Sequence, residues 1–324
     1  MKKALWAVIL GVAVYTVLVL GSDVSRVGRA ISAIHPAWIP VFLALPLSNY
    51  FFRFLKWHYF LRRVGVLIPR GESLAVFVAG FSMTVSPGKF GELVKCVILK
   101  ERRGVPVSTT SPVVVAERIT DLLSMVCLAA AGAALSGGGA VLPAIAAGVV
   151  FVSLAMLFLL WSPAWRLAAR AASRLPVLRT RTDSLEAFRQ SATTLLDFRS
   201  MLVSVPLGIL GWGLEALVLC AVAASMGVSL PAGVALLSHA AGTIAGAVSM
   251  IPGGLGLTEL TIDGILGGYM SNAQAAVTTL LMRFCTLWFG VLLGLAVIAV
   301  LGRGGQRKNP CIQAVDPRTP NGRS

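Results

Sequence analysis

No charged residue occurs between Lys3 and Asp23 or between Asp121 and Arg166, and the run from Phe284 to Leu301 is uncharged as well. A hydrocarbon core about 30 Å thick takes roughly 20 apolar residues of helix to cross. Inside it, backbone groups must bond to one another, so runs of this kind commit the chain to membrane helices. The stretch after Asp121 is long enough for two crossings, divided at "SGGG", Ser136 to Gly139. With 56% hydrophobic and only 13% charged residues, the expected class is an all-α, polytopic integral membrane protein. The first segment, "MKKALWAVILGVAVYTVLVLGSD", has two readings, a retained helix or a secretory signal cleaved after Gly21.

A net charge of +15 raises the question of nucleic acid, but its distribution points to the membrane. Basic residues cluster at Lys2 and Lys3, Arg53 to Arg70, Lys95 to Arg103, Arg166 to Arg199 and from Arg303 onward, while Gly227 to Asn272 holds no Lys or Arg. Placing the basic clusters in the cytoplasm satisfies the bias that keeps positive loops inside. The surplus then reads as orientation and as contact with anionic headgroups, with a cytoplasmic C-terminus and no nucleic-acid partner.

This orientation puts Arg53 to Arg70 and Lys95 to Arg103 on one side, so the apolar segment Leu74 to Val94 must enter and return. Pro231 to Tyr269 must do the same from the opposite side. Each segment has a Pro-Gly-x-x-Gly break, Pro87, Gly88 and Gly91 in "SPGKFGELVK" and Pro252, Gly253 and Gly256 in "IPGGLGLTEL". A carboxylate follows each, Glu92 or Glu259, and an arginine in an apolar segment lies 31 residues after each proline, Arg118 and Arg283. Matched spacing with opposite entry sides predicts an inverted repeat of about six spanning helices plus two re-entrant hairpins. The repeats run over about 38–135 and 201–301 in one membrane domain of residues 1–301. Between them lies a basic interfacial linker, 162–200, and after them a polar, disordered tail, 302–324.

Together, "RFLKWHYFLRRVGV", "SPGKFGELVK", "AERITDLL", "IPGGLGLTE" and "LLMRF" resemble the membrane region of lysylphosphatidylglycerol synthases, the flippase-like domain family. The resemblance covers about Arg53 to Leu301 in the family's order. It implies helices with two re-entrant segments and a role in moving lipids between leaflets. Full synthases also carry a soluble aminoacyl-transferase domain, and after Leu301 only "GRGGQRKNPCIQAVDPRTPNGRS" stands here. Transfer of lysine to a lipid is therefore not expected of this chain. Stand-alone relatives imply isoprenoid-linked, glyco-linked or polycyclic lipids as further substrates.

A helix that starts at a mid-membrane break directs its unbonded N–H groups into the protein and attracts anions. Lys89, Arg118 and Arg283, with the turn glycines Gly88, Gly91, Gly253, Gly254 and Gly256, are thus the candidate lipid-phosphate site. Glu92, Glu117, Asp121 and Glu259 are candidate charge partners or proton carriers, with Glu215 and Asp263 behind them. A second reading stays open, in which these charges only neutralise one another. His239 is a lone imidazole in an apolar segment. No ligand-like spacing of Cys or His appears, so neither a metal nor a cofactor is expected.

Arg166, Arg170 and Arg174 form one stripe opposite Trp165, Ala168, Ala172 and Leu175. That pattern predicts an interfacial amphipathic helix, continued by Leu185, Phe188, Ala192 and Leu195, against the alternative of a basic loop. No phosphate-binding loop or nucleophile elbow is present. The expected function is non-enzymatic lipid translocation in the plasma membrane. The alternatives are an intramembrane transferase using Glu92, Glu117 or Asp121 as base, and a scaffold partnering a separate glycosyltransferase or lipid synthase.

Overall fold

The computed structural model describes residues 28–303 apart from 30, 33, 87–90, 138–141, 162, 164, 166 and 168–181. The N-terminal segment, Pro87, Gly88, Lys89, most of the basic stripe at 162–176 and the tail after Arg303 lie outside the described residues. Every regular element described is helical: α1 (Ile39–Arg63), α2 (Arg70–Gly80), α3 (Val94–Arg103), α4 (Val107–Ser136), α5 (Leu142–Leu160), α6 (Thr182–Leu195), α7 (Phe198–Ser225), α8 (Ala232–Val248), α9 (Leu257–Leu266), α10 (Asn272–Arg283) and α11 (Phe289–Arg303). Among the described residues, Pro36–Arg63, Val107–Ser136, Phe198–Ser225 and Asn272–Leu301 are long and apolar enough to cross a bilayer. The chain is an all-helical, multi-pass membrane protein.

Local chemistry sets the helix ends. Pro106 and Pro231 stand just before α4 and α8, where a fixed φ helps and the missing N–H costs nothing. The Asp197 carboxylate accepts from Ser200 N–H at 2.7 Å to start α7. Ser271 and Gln274 close a reciprocal capping pair at the start of α10.

Close helix approach comes from small residues, because in lipid the attraction between helices is contact rather than expulsion of water. A methyl built on Gly132 of α4 would lie 2.6 Å from Leu237 N and 2.7 Å from Gly233 O of α8, so those two backbones touch. α7 packs along α1 and α4 as well. α6 sits on α4 with Ala192 and Leu195 fully buried, and Phe188 stacks on Trp165 with ring centroids 6.1 Å apart. The apolar stripe expected to lie on lipid therefore lies, over α6, on protein. An apolar helix face fits either surface, and periodicity does not distinguish them.

Two short-helix pairs give the fold its plan. α2 and α3 pack together across the break at 84–93, and α8 and α9 across the break at 249–256. At 1.5 Å per residue α2 and α3 are about 15 Å long, half a bilayer. Asn272–Leu301, joined through a π turn at Phe284–Trp288, is a rod about 45 Å long. The second hairpin ends directly at the start of this rod. The open end of the first lies at the other end, where Arg102 Nη2 donates to Leu301 O at 3.0 Å. Residues of both breaks pack along this rod. Arg283 touches the second, Gly294 packs against Phe81 and Ser82 beside the first, and a methyl on Gly253 would lie 3.3 Å from Val85 Cγ1.

Candidate functional site

The second break is built around Arg283. Gly253, Gly254 and Gly256 have φ of +62°, +67° and +91°, a left-handed path open to glycine and costly for other residues. That path turns the Gly253 carbonyl toward α10, where Arg283 Nη2 donates to it at 2.7 Å while Nε donates to Glu259 Oε1 at 2.6 Å. Glu259 Oε2 accepts from Gly256 N–H at 2.7 Å. The positive start of α9 thus already holds a built-in anion, the carboxylate of Glu259. Pro252 opens the 3-10 turn of this tip, and Met250 before it carries a strained φ of 57°.

In the first break Gly91 N–H donates to Ser86 Oγ at 2.6 Å, and Glu92 is buried beneath it. Glu92 Oε2 faces Arg118 Nη2 at 3.3 Å and Lys95 Nζ at 3.7 Å. Lys95 pairs with Glu117 at 2.6 Å, Arg118 with Asp121 at 3.0 Å, and Asp121 with Lys56. Glu92 with Arg118 is, like Glu259 with Arg283, a pair between a carboxylate just after a break and an arginine on a later helix. Glu117 leaves its own helix for Lys95, whereas Arg118 and Asp121 pair within α4 as their three-residue spacing allows.

Three of these cations are not where the charge clusters suggested. Arg53, Lys56 and Lys95 are buried inside the helix bundle rather than in cytoplasmic loops. Lys95 Nζ stands 4.4 Å from the Trp57 ring centroid, and the Arg53 guanidinium stands over the rings of both Phe81 and Trp212. Trp212 Nε1–H donates to Asp121 Oδ1 at 3.0 Å. Tyr50 donates its hydroxyl to the Thr286 carbonyl inside the π turn, a type of bulge that recurs at functional sites.

Some of these groups border a cavity of about 500 Å³. Its polar side holds Arg53, Arg118, Asp121, Glu215, His239 and Arg283, with Thr84 from the first hairpin and Gly253, Gly254 and Thr258 from the second. His239 Nε2 lies 4.0 Å from Glu215 Oε1 across this space. The rest of the lining is largely apolar, from Ile119 and Met125 of α4, Ala155 and Phe158 of α5, Trp165 beyond α5 and Phe188 of α6. α5 also exposes Val150, Leu154 and Leu157 outward, as a lipid-facing helix does.

A family model described as the lysylphosphatidylglycerol synthase TM region matches residues 6–294. The chain belongs to this family. No curated protein matches it. The match spans all four long apolar helices up to Gly294 and both hairpins, so the cavity lies wholly within the family's TM region.

Of the residues singled out from sequence, Arg118, Asp121, Arg283, Gly253 and Gly254 border the cavity together with the weaker candidates Glu215 and His239. Glu92, Glu117, Glu259 and Gly256 stand behind them as charge partners or turn residues. Asp263, half-buried on α9, does not border it. Arg53, Lys56, Lys95, Tyr50 and Trp212 were not singled out. Their signal was a polar or aromatic group on one face of a long apolar helix, as in Asn49, Tyr50, Arg53, Lys56 and Trp57 of α1.

Proposed function

We propose that this protein translocates an anionic, or isoprenoid- or glyco-linked, lipid between leaflets of the plasma membrane. The observation that carries this reading is the two-sided cavity where the hairpin tips meet. One side presents arginines and hydroxyls to a headgroup; the other presents rings and aliphatic chains beside a lipid-facing helix. The two hairpin bases, at opposite ends of the α10 and α11 rod, support an inverted pair of re-entrant segments with the first opening to the cytoplasm, as the C-terminus does. In that arrangement a headgroup crosses through a charged, water-accessible interior while its chains remain in hydrocarbon.

The ion pairs assign different parts to the arginines. Arg118, paired through Nη2 with Glu92 and Asp121, is 22% exposed and borders the cavity, so its remaining surface meets the headgroup. Arg283 holds the second tip in shape, so that the Gly253 and Gly254 backbone forms part of the wall. No bond need form or break in the lipid, and the role is non-enzymatic.

Purified protein in vesicles containing a fluorescent phosphatidylglycerol tests this. Dithionite bleaches only the outer leaflet, so translocation is expected to carry bleaching well past half, and Arg118→Gln to slow it at least tenfold. Bleaching that stops at half with folded protein contradicts the proposal. A chemically altered lipid in that vesicle indicates a transferase, and neither change leaves a scaffold for a separate lipid-synthesising or glycosyltransferase enzyme.

A further inference from the structure

Among the described residues, every buried cation around the cavity except one forms an ion pair with a carboxylate. Lys56 has Asp121, Lys95 has Glu117, Arg118 has Glu92 and Asp121, and Arg283 has Glu259. Arg53, only 6% exposed, makes no ion pair among the described residues, and its Nε has no hydrogen-bond partner. A guanidinium stays charged at any pH a cell reaches, and burying one with no directly paired anion is costly.

What surrounds Arg53 is built rather than incidental. Its guanidinium carbon lies 4.7 Å from the Trp212 ring centroid and 5.4 Å from that of Phe81. Contacts of this kind offset part of the cost and hold the group in place. Trp212 is held by its hydrogen bond to Asp121, which Lys56 and Arg118 hold in turn, and Phe81 packs against Tyr50 and Phe77. Asp121 lies within electrostatic reach but forms no ion pair with Arg53; its Oδ1 accepts from Lys56 and Trp212, and its Oδ2 faces Arg118. With aromatic rings beside it, the edge of the guanidinium, a fork of parallel N–H donors, is left for a ligand in the cavity that Arg53 borders.

We infer that Arg53, clamped by Phe81 and Trp212, is the primary anion-recognition residue of the cavity and takes one phosphate group of its ligand. This rests on the lipid reading only for the ligand's apolar part, since a phosphate fits the fork whether or not chains are attached. Phe81 begins the 3-10 turn of the first hairpin tip, so a bound phosphate also bears on that tip's position.

The test is native mass spectrometry of the full chain in detergent micelles. The probes are phosphatidylglycerol, diacylglycerol with the same chains, and inorganic phosphate as competitor. Phosphatidylglycerol binding is expected to fall about tenfold or more in Arg53→Gln and severalfold in Arg53→Lys, which keeps the charge but loses the fork. Diacylglycerol binding is expected not to change. Competition by millimolar phosphate identifies a site for the phosphate itself, and its absence a site that also needs the chains. Phosphatidylglycerol binding equal to wild type in either folded variant overturns the inference; should Arg53→Gln not fold, Arg53→Lys decides. Leaflet exchange separates the two proposals. Arg53-dependent binding without exchange removes only translocation, and exchange with Arg53-independent binding removes only this site.

Discussion

Among the described residues, the break of the second hairpin is held by one ion pair, Arg283 with Glu259, while that of the first is flanked by Lys56, Glu92, Lys95, Glu117, Arg118 and Asp121 from three parts of the fold. In the second, one guanidinium bridges a carboxylate and a turn carbonyl, so the local shape depends on one contact set. In the first, each charge except Lys56 and Glu117 has two partners, and losing one leaves the other. Two hairpins of similar plan should therefore answer mutation differently, the second abruptly and the first by degrees.

The largest effect is expected from Glu259→Gln. Arg283 is 11% exposed and Glu259 fully buried, so the variant strands a charge and loses about 3–5 kcal/mol, read as a drop in thermal-unfolding midpoint in detergent. Wild-type melting would show that water reaches Arg283 and that the clasp is dispensable. Next comes Gly254→Ala. Its φ of +67° and a methyl placed 2.5 Å from Thr258 Oγ1 predict a loss of about 1–3 kcal/mol by the same assay. Gly91→Ala, whose methyl would fall 2.6 Å from Met83 and Ser86 atoms, gives the matching value for the first tip.

Glu92→Gln should cost less, about 1–2 kcal/mol, because Arg118 keeps Asp121 and Lys95 keeps Glu117. If the network shares its load, Glu92→Gln with Asp121→Asn will cost more than the sum of the two by over about 0.5 kcal/mol. Strict additivity would mean the six charges act as separate pairs. The smallest effect, about 1 kcal/mol, is expected for Asp197→Ala, which removes the α7 cap and the exposed partner of Arg63 but lies far from both breaks.

Much of this plan was legible in the chain. Charge-free runs set the class, and the interval from Pro252 to Arg283 marked a break and an arginine that are in contact, whereas Pro87 lies outside the described residues. Partners were harder to read. Glu117 faces Lys95 rather than its neighbours on α4, because a tertiary contact outweighs a helical interval worth a few tenths of a kcal/mol. Arg53 and Lys56 were grouped with Arg62 and Arg63 by proximity along the chain, although a helix separates them by more than a turn and by the whole difference between interior and rim. The apolar stripe of α6 has the same pattern whether it meets lipid or α4.

The central claim is that each hairpin returns to the side it entered from and that the two open to opposite sides. Single cysteines in a cysteine-free background at Leu67, Glu101, Ser229 and Tyr269, all exposed at hairpin ends, test it with a membrane-impermeant maleimide applied to sealed cells and to inverted vesicles. The account predicts labelling of Leu67→Cys and Glu101→Cys only from the cytoplasmic face, and of Ser229→Cys and Tyr269→Cys only from the outer face. Labelling of the two ends of either hairpin from opposite faces would make it an ordinary crossing and contradict the account.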